Sequence, residues 1–204
     1  MLEFKNVSLS RAEKVIVDNL SLKLEDGENL CITGQSGTGK TSLLLAMQGL
    51  LPFEKGYYTI EGEWVNRDSA AYFRQRMCYL PQCLELPYEK VTDWMDVMLG
   101  LKVNRHKGIS KELIASELQK LGLEETVWKG PLKALDKTTL QLVMLAMEGL
   151  LRKPFVFLDD LQVGLEVEYL RQLNHVGISA VAVLGDDSLI KFFDKHISLD
   201  KEKI

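Results

Sequence analysis

Alternating apolar and polar positions mark the first part of the chain. Residues 2–9 and 15–24 both alternate, which is typical of half-buried strands, and a turn sequence at residues 25–28 follows. Residues 28–33 then form a short apolar run, which predicts a buried strand, and residues 41–48 have the composition of a helix. The pattern predicts a β-rich opening that leads into a strand, a loop and a helix.

The apolar spacing becomes helical in the middle of the chain and returns to strands near the end. It has a helical period between residues 91 and 121, and residues 135–151 are apolar on most faces, which predicts a largely buried helix. Shorter runs predict strands at residues 57–60, 76–80, 155–158, 178–184 and 196–199, with a helix around residues 167–173. Strands interspersed with helices favour one compact α/β domain.

The loop between the predicted strand and the first helix carries the most informative residues. Residues 34–41 read Gly-Gln-Ser-Gly-Thr-Gly-Lys-Thr, which fits the phosphate-loop pattern G-x-x-x-x-G-K-[ST] at every fixed position. Glycines let backbone N–H groups turn toward phosphates, the lysine reaches the β and γ oxygens, and the last hydroxyl ligates Mg²⁺. We therefore expect a nucleoside triphosphate on Gly34, Gln35, Ser36, Gly37, Thr38, Gly39, Lys40 and Thr41.

Two adjacent acids follow the buried strand at residues 155–158. A phosphate-loop enzyme needs an Asp at a strand end on the metal side, and Asp159 is the natural candidate. Because successive side chains of a strand point to opposite faces, Asp159 can face the metal while Asp160 is offered to an attacking water as a general base. The alternative is a buried strand that merely ends in solvated acids.

Composition indicates which partners and which cellular compartment to expect. The 204 residues include 25 basic and 29 acidic ones, a net charge of −4, so no basic field favours nucleic acid as a partner. Cys31, Cys78 and Cys83 have neither metal-ligand spacing nor an extracellular framework, which indicates a reduced, cytoplasmic setting. The N-terminus lacks a signal-peptide pattern, and Glu148 interrupts the longest apolar stretch, so we expect neither export nor a membrane span.

These motifs, in this order, resemble the ATP-binding cassette (ABC) family, the nucleotide-binding subunits of ABC transporters, over nearly the whole chain. The first strands, the loop at residues 34–41 (Walker A), the phrase Tyr79-Leu-Pro-Gln82 (Q-loop) and the closing segment 194–204 carry the resemblance. It implies a P-loop NTPase fold of ABC type across residues 1–204. The expected architecture is a mixed β-core with an α-helical subdomain at residues 84–150.

The resemblance also implies roles for residues and partners. Gln82 would contact Mg²⁺ and the attacking water, Ser42 would join the nucleotide-binding set, and the cofactors would be ATP and Mg²⁺. Two such subunits, alike or unlike, would enclose two nucleotides and drive a membrane-embedded permease, which puts the chain at the inner face of the cell membrane.

The expected docking surface for the permease lies just past the Q-loop, at residues 81–101. Its apolar and aromatic members are Leu84, Leu86, Pro87, Tyr88 and Trp94. Exposed clusters of this kind are plausible anchors for a partner helix. The alternative is that all of them pack inside the helical subdomain, because Trp94 falls on a helical apolar stripe with Val97, Met98 and Leu101.

The sequence departs from the family's signature and from its catalytic acid. Where the family has Leu-Ser-Gly-Gly-Gln, residues 135–139 read Leu-Asp-Lys-Thr-Thr. In the family this segment closes over the γ-phosphate held by the opposite subunit. Asp136 would bring negative charge toward that phosphate, and the repulsion would oppose closure unless Lys137 compensates. The simpler interpretation is that the segment is only a helix N-cap. Asp160 replaces the family's catalytic glutamate with an arm one methylene shorter, and a misplacement of about 1 Å can cost on the order of 100-fold in rate.

Two further departures concern the switch histidine and base recognition. Gly185-Asp186-Asp187 stands where the family has its switch histidine, and none of His106, His175 and His196 can replace it. Arg11 stands near the position of the aromatic residue that stacks on adenine; it could stack through its guanidinium plane or simply be solvated. We therefore expect firm nucleotide binding, loose base recognition and weak hydrolysis.

Three functions are compatible with these motifs. The leading hypothesis is the ATP-binding subunit of an ABC-type transporter, with ATP hydrolysis weak. The alternative is a non-transport ABC-like switch in which ATP controls assembly with a protein partner. A phosphate-loop kinase or GTPase is disfavoured, because no acceptor pocket or Asn-Lys-x-Asp guanine motif is visible.

Overall fold

The computed structural model describes residues 1–83, 86–161 and 165–200. Its strands are β1 (Leu2–Arg11), β2 (Lys14–Leu24), β3 (Asn29–Thr33), β4 (Lys55–Ile60), β5 (Glu63–Trp64), β6 (Met77–Leu80), β7 (Phe155–Leu161), β8 (Ser179–Leu184) and β9 (Lys195–Ser198). Its α-helices are α1 (Lys40–Met47), α2 (Ala70–Arg74), α3 (Val91–Gly100), α4 (Lys111–Lys120), α5 (Glu125–Lys129), α6 (Lys137–Leu151) and α7 (Leu165–His175). Short 3₁₀ turns lie at Arg105–Lys107, Leu132–Ala134 and Asp187–Phe192.

The strands form two sheets, as the predicted mixed β-core requires. One is antiparallel with the order β2-β1-β4-β5, and the other is parallel with the order β6-β7-β8-β3-β9. Cys31 of β3 and Leu158 of β7 both pair with Ala182 of β8. The carboxyl ends of these strands therefore lie at one edge of the sheet, where open α/β sheets bind their ligands.

Alternation of side chains along β7 divides the core into two. Val156 and Leu158 pack on one face of the sheet with α3, α4 and α6, whereas Phe155 and Phe157 pack on the other face with α1 and the antiparallel sheet. Both faces of the parallel sheet are thus covered, which explains why its strands are almost continuously apolar. Asp159 and Asp160 continue this alternation, but Leu161 returns to the cluster of Val156 and Leu158, beyond the register shift after Leu158.

Most predicted elements are present, with ends that differ by up to three residues. The helical period between residues 91 and 121 corresponds to α3 and α4, and the predicted helix at residues 135–151 begins at Lys137. The pattern does not predict α2 and α5, because five residues are too few to establish a period. The predicted closing strand corresponds to β9, and residues 201–204 lie outside the described residues.

The stretch expected to dock a partner is partly core. Trp94 is only 5% exposed and packs in the α6-side cluster, so it is not a surface anchor. Leu86 and Tyr88 are half-buried against the same cluster, Pro87 is exposed, and Leu84 lies outside the described residues.

Exposed apolar side chains do occur on the helix that carries Trp94. Val97 is 44% exposed and Leu101, at the end of α3, is 43% exposed. The stripe that the spacing predicts is therefore buried at Trp94 and open to solvent at these two residues. No helix in the described part of the chain is both long and apolar enough to cross a membrane.

Replacing Trp94 with alanine should lower the free energy of unfolding by about 3–5 kcal/mol, because the change opens a cavity in the core. Val97→Ala on the same helix should change it by less than about 0.5 kcal/mol, since that side chain is exposed. Denaturant unfolding of both variants measures the difference. A Trp94→Ala protein as stable as the wild type would place this side chain outside the core.

Candidate nucleotide site

The loop between β3 and α1 follows a path that requires glycine. Gly34 and Gly39 have φ angles of 138° and 109°, which other residues rarely adopt. A Cβ atom on Gly39 would lie 2.7 Å from Cγ1 of Ile16, and one on Gly34 would lie 2.9 Å from Oγ1 of Thr38. The loop ends where α1 begins, so the unpaired N–H groups and the positive end of the helix dipole lie at the loop.

Two lysines lie against the carbonyl oxygens of this loop. Lys40 Nζ donates hydrogen bonds to the Gly34 oxygen at 2.5 Å and the Gln35 oxygen at 3.0 Å. Lys14 Nζ donates to the Gly37 oxygen at 2.7 Å. A phosphate oxygen is a stronger acceptor for an ammonium group than a neutral carbonyl is. The arrangement therefore holds two cations ready for an anionic ligand.

A cavity of about 770 Å³ opens over the loop. The sheet register explains its composition, because the carboxyl ends of β3, β6, β7 and β8 all reach this edge. The structure brings together every residue that the sequence assigns to the site: Arg11, residues 34–42, Gln82, Asp159 and Asp160. A cavity of this size and polarity fits a nucleotide-sized ligand.

Asp159 lies on the α1 side of β7, next to the loop. It is 3% exposed, and burial raises the pKa of its carboxyl group. The negative charge of Asp160 raises this pKa further, whereas the hydroxyls of Thr41 and Tyr79 and the Lys40 ammonium act in the opposite direction. A buried carboxylate beside a hydroxyl offers the hard oxygen ligands that Mg²⁺ prefers.

Asp160 contacts a different element from its neighbour. Lys137 Nζ, from the first residue of α6, lies 2.5 Å from Asp160 Oδ2, and Gln82 Nε2 donates to the same oxygen at 3.4 Å. Its backbone has φ 68°, an uncommon conformation for a residue other than glycine. The pairing of β7 with β8 also shifts between Leu158 and Leu161. The residue proposed as a base is thus held by a lysine of its own chain.

The start of α6 is a helix cap. The Asp136 carboxylate accepts a hydrogen bond from the Thr139 backbone N–H at 2.8 Å, and this bond lowers the pKa of Asp136. The structure therefore supports the N-cap interpretation of this segment. Lys137 does form an ion pair here, but its partner is Asp160 and not Asp136.

Among the described residues, the cavity wall carries no aromatic ring that could stack on the nucleobase and no imidazole at the switch position. Arg11 Nη1 donates to Ser42 Oγ at 3.1 Å, so its guanidinium lies over the start of α1. Gly185 lines the cavity after β8. His196 instead contacts Thr33 Oγ1 at 2.8 Å between β9 and β3, whereas His106 and His175 are exposed.

Sequence reasoning missed four polar residues that contact the loop or its acids. Lys14 and Asp200 contact the loop, the latter by accepting a hydrogen bond from the Gln35 N–H at 2.8 Å. Tyr79 faces Asp159 because it pairs in register with Phe157 of β7. The sequence-based interpretation relates Lys137 only to Asp136, whereas the structure pairs it with Asp160. The alternation of β7 was the available signal for its true partner, since it directs Asp160 toward the α6 side.

The chain is similar to known proteins over nearly all of its length. A protein-family model described as ABC transporter matches residues 17–162. The manganese transport system ATP-binding protein MntB of Listeria monocytogenes is 27% identical over 220 residues, which cover 100% of this chain and 88% of that protein. The hemin import ATP-binding protein HmuV of Pseudomonas fluorescens is 27% identical, with 98% and 83% of the two chains covered.

A solved structure shares the fold. A dimeric, post-hydrolysis form of the ATP-binding cassette MJ0796, bound to ADP and Pi, matches with a TM-score of 0.78 and 23% identity, over 98% of this chain and 94% of that one. This likeness confirms the predicted α/β P-loop NTPase fold of ABC type. Because the family model covers most of the chain, including the loop, Gln82 and both acids, the chain belongs to the ABC transporter family, as an ATP-binding subunit with an ABC ATPase domain.

Proposed function

We propose that ATP binds in the cavity over residues 34–42, with its phosphates on the loop and at the start of α1. The observation that carries this proposal is the convergence of the glycine-dependent loop, two lysine ammonium groups and a buried carboxylate at one sheet edge. Lys40 would exchange the Gly34 and Gln35 carbonyls for phosphate oxygens. The family match favours this function over a kinase or GTPase.

Mg²⁺ would be held by Thr41 and Asp159, with Gln82 nearby. The described residues contain no cluster of three or more His, Cys, Asp or Glu side chains suited to a metal. The buried Asp159 carboxylate and the Thr41 hydroxyl beside it suit Mg²⁺, which usually takes one or two protein ligands and completes its shell with substrate phosphates and water. The metal would neutralise charge on the phosphates and relieve the buried charge of Asp159.

Hydrolysis in this site would depend on Asp160 and Gln82. Asp160 would accept a proton from a water that attacks the γ-phosphorus, while the bond to ADP breaks and Gln82 orients the water. Three features support slow turnover: the short arm of Asp160, its ion pair with Lys137, and Gly185 where an imidazole would stand. The start of α6, which lacks glycine, would also be a poor partner for a second subunit's nucleotide.

Arg11 would contribute to nucleotide binding through charge. Its hydrogen bond to Ser42 holds the guanidinium near the first turn of α1, where phosphates would lie. No aromatic ring from the described residues lines the cavity to stack on a base. This favours recognition of the phosphates over recognition of adenine.

We further propose that residues 1–204 act as one ABC-type domain whose helical subdomain, at residues 84–150, docks a membrane-embedded permease. MJ0796 is dimeric in its solved structure, and we infer a dimer of like or unlike subunits for this chain as well. Exposed or half-buried apolar groups at Pro87, Tyr88, Val97 and Leu101 would form the docking surface. Through this partner the chain would lie at the inner face of the cell membrane.

Mg²⁺-ATP should raise the melting temperature of the wild-type protein, and Lys40→Ala should remove most of this effect, because the ammonium group would lose its phosphate contacts. At a ligand concentration about 100 times Kd the stabilisation is about 2.7 kcal/mol, which a thermal-shift assay detects. Lys133→Ala, an exposed lysine away from the cavity, is the matched control and should keep the full shift. A folded wild-type protein with no shift at millimolar Mg²⁺-ATP would refute the proposed site.

Asp159→Asn should raise the melting temperature of the ligand-free protein at neutral pH. The pKa of Asp159 is raised by burial, so the folded protein binds more protons than the unfolded chain does, and its stability falls as pH rises through that range. The gain should disappear below the unfolded pKa of 3.8, where the carboxyl group is protonated in both states.

The same variant should lose the Mg²⁺-dependent part of the ATP shift, because an amide is a weaker ligand for the metal. Asp68→Asn, an exposed acid, should change neither property. Thermal melts across pH, with and without Mg²⁺-ATP, make both comparisons. An Asp159→Asn protein that melts below the wild type at neutral pH would contradict the inference that the buried charge of Asp159 destabilises the ligand-free protein.

Val97→Asp and Tyr88→Ala should reduce recovery of the protein with cell membranes severalfold, because they remove apolar contact area from the proposed docking surface. Both should leave the ATP-induced thermal shift unchanged. Val176→Asp, at an exposed valine that follows α7, is the control for adding a charge to the surface. Membrane association that survives both substitutions, or is absent from the wild type in cells, would favour the soluble ATP switch instead.

A further inference from the structure

The ion pair between Lys137 and Asp160 joins two functional segments of one chain. Lys137 is the first residue of α6, and Asp160 lies at the end of β7, 23 residues later. Lys137 Nζ lies 2.5 Å from Asp160 Oδ2, and Asp160 lines the nucleotide cavity. Gln82 donates to the same oxygen at 3.4 Å, so two donors engage one of the two carboxylate oxygens that could accept a proton from water.

The surrounding backbone holds both partners in place. The Asp136 carboxylate caps α6 through the Thr139 N–H, which fixes the helix turn that carries Lys137. Asp160 has φ 68° and lies where the pairing of β7 with β8 shifts register. Uncommon backbone conformations of this kind persist only where surrounding contacts enforce them. The contact is therefore built from two locally defined segments.

We propose that Lys137 is a positioning residue that restrains Asp160 and thereby slows ATP hydrolysis by this subunit. This inference rests on the proposed role of Asp160 as the general base. While the lysine occupies Oδ2, the carboxylate is directed toward α6 and has one oxygen fewer for the attacking water. Displacement of Lys137, by a partner subunit or by an anionic group that attracts the ammonium, would free the base.

The exposure of the pair makes the restraint weak enough to release. The side chains of Lys137 and Asp160 are 39% and 22% exposed, so solvent and salt screen their attraction. A modest change in charge near the cavity can therefore break this ion pair. The restraint also predicts a salt dependence of turnover that a purely structural role of Lys137 would not produce.

The test measures ATP turnover at saturating Mg²⁺-ATP for the wild type, Lys137→Ala, Lys137→Gln, Lys137→Arg and Lys133→Ala. Wild-type turnover should be below about 1 s⁻¹, the low end of typical enzyme values. Lys137→Ala and Lys137→Gln should be faster by about two- to fivefold, the range that a partly exposed ion pair allows. Lys137→Arg keeps the charge and should match the wild type, as should Lys133→Ala, which changes an exposed lysine that does not line the cavity.

Salt provides the second measurement. Between about 0.1 M and about 1 M salt the Debye length falls from about 10 Å to about 3 Å, so the advantage of Lys137→Ala over the wild type should shrink. Two uncharged variants that are both no faster than the wild type, or an advantage that does not change with salt, would overturn the restraint. The glutamine variant retains most of the side chain, so a folding defect in the alanine variant does not decide the result.

Asp160→Asn separates failure of the restraint from failure of the proposed base. It should lower turnover by at least about 100-fold, the usual contribution of a general base. If Asp160→Asn is slow but neither uncharged Lys137 variant is fast, the restraint is wrong and the base assignment stands. If Asp160→Asn matches the wild type, the base assignment fails, and the restraint fails with it.

Discussion

The parallel pairing of β3, β7 and β8 is the constraint on which the rest of the structure depends. Their hydrogen-bonded register brings the ends of these strands to one edge, and β6 joins them beside β7. Three segments of the site follow these ends: the phosphate loop follows β3, Gln82 follows β6 and Gly185 follows β8, while Asp159 and Asp160 lie in β7 itself. Residues separated by more than 100 positions in the sequence therefore line one cavity.

The alternation of β7 then assigns different chemistry to adjacent acids. Asp159 continues the face of Phe155 and Phe157, which packs toward α1, and so meets the Thr41 hydroxyl and the Lys40 ammonium. Asp160 meets Lys137 of α6. A strand that ended in two solvated acids would need neither partner, and the 3% exposure of Asp159 argues against that alternative. Unfavourable burial of a carboxylate is typical of functional sites, where a ligand offsets its cost.

Local chemistry explains why much of the site could be predicted from the sequence. The loop at residues 34–41 and the acids after residue 158 are recognisable because their functions require particular residue types at fixed spacing, whatever the remainder of the chain does. The fold class followed from the ABC resemblance, and the comparisons confirm it. The N-cap at Asp136 is equally local, since it depends on a carboxylate three residues before a free N–H group.

What could not be predicted depends on how separate elements pack. Periodicity places Trp94, Val97 and Leu101 on one stripe, but the position of α3 on the core decides that the first is buried and the other two are exposed. Likewise, the contact of Lys137 with Asp160 requires the distance between α6 and β7, which no spacing in the sequence contains. The approach of Tyr79 to Asp159 depends on the register of β6 against β7.

The central claim is that the loop at residues 34–41 holds the phosphates of ATP while Asp159 lies on the metal side. A crystal structure with Mg²⁺ and a non-hydrolysable ATP analogue tests it most directly. The account predicts that Lys40 Nζ leaves the Gly34 and Gln35 oxygens and lies about 3 Å from phosphate oxygens, with Mg²⁺ between those phosphates and the Thr41 and Asp159 side chains. An analogue bound elsewhere, or a Lys40 that still contacts the two carbonyls beside a bound nucleotide, would contradict it.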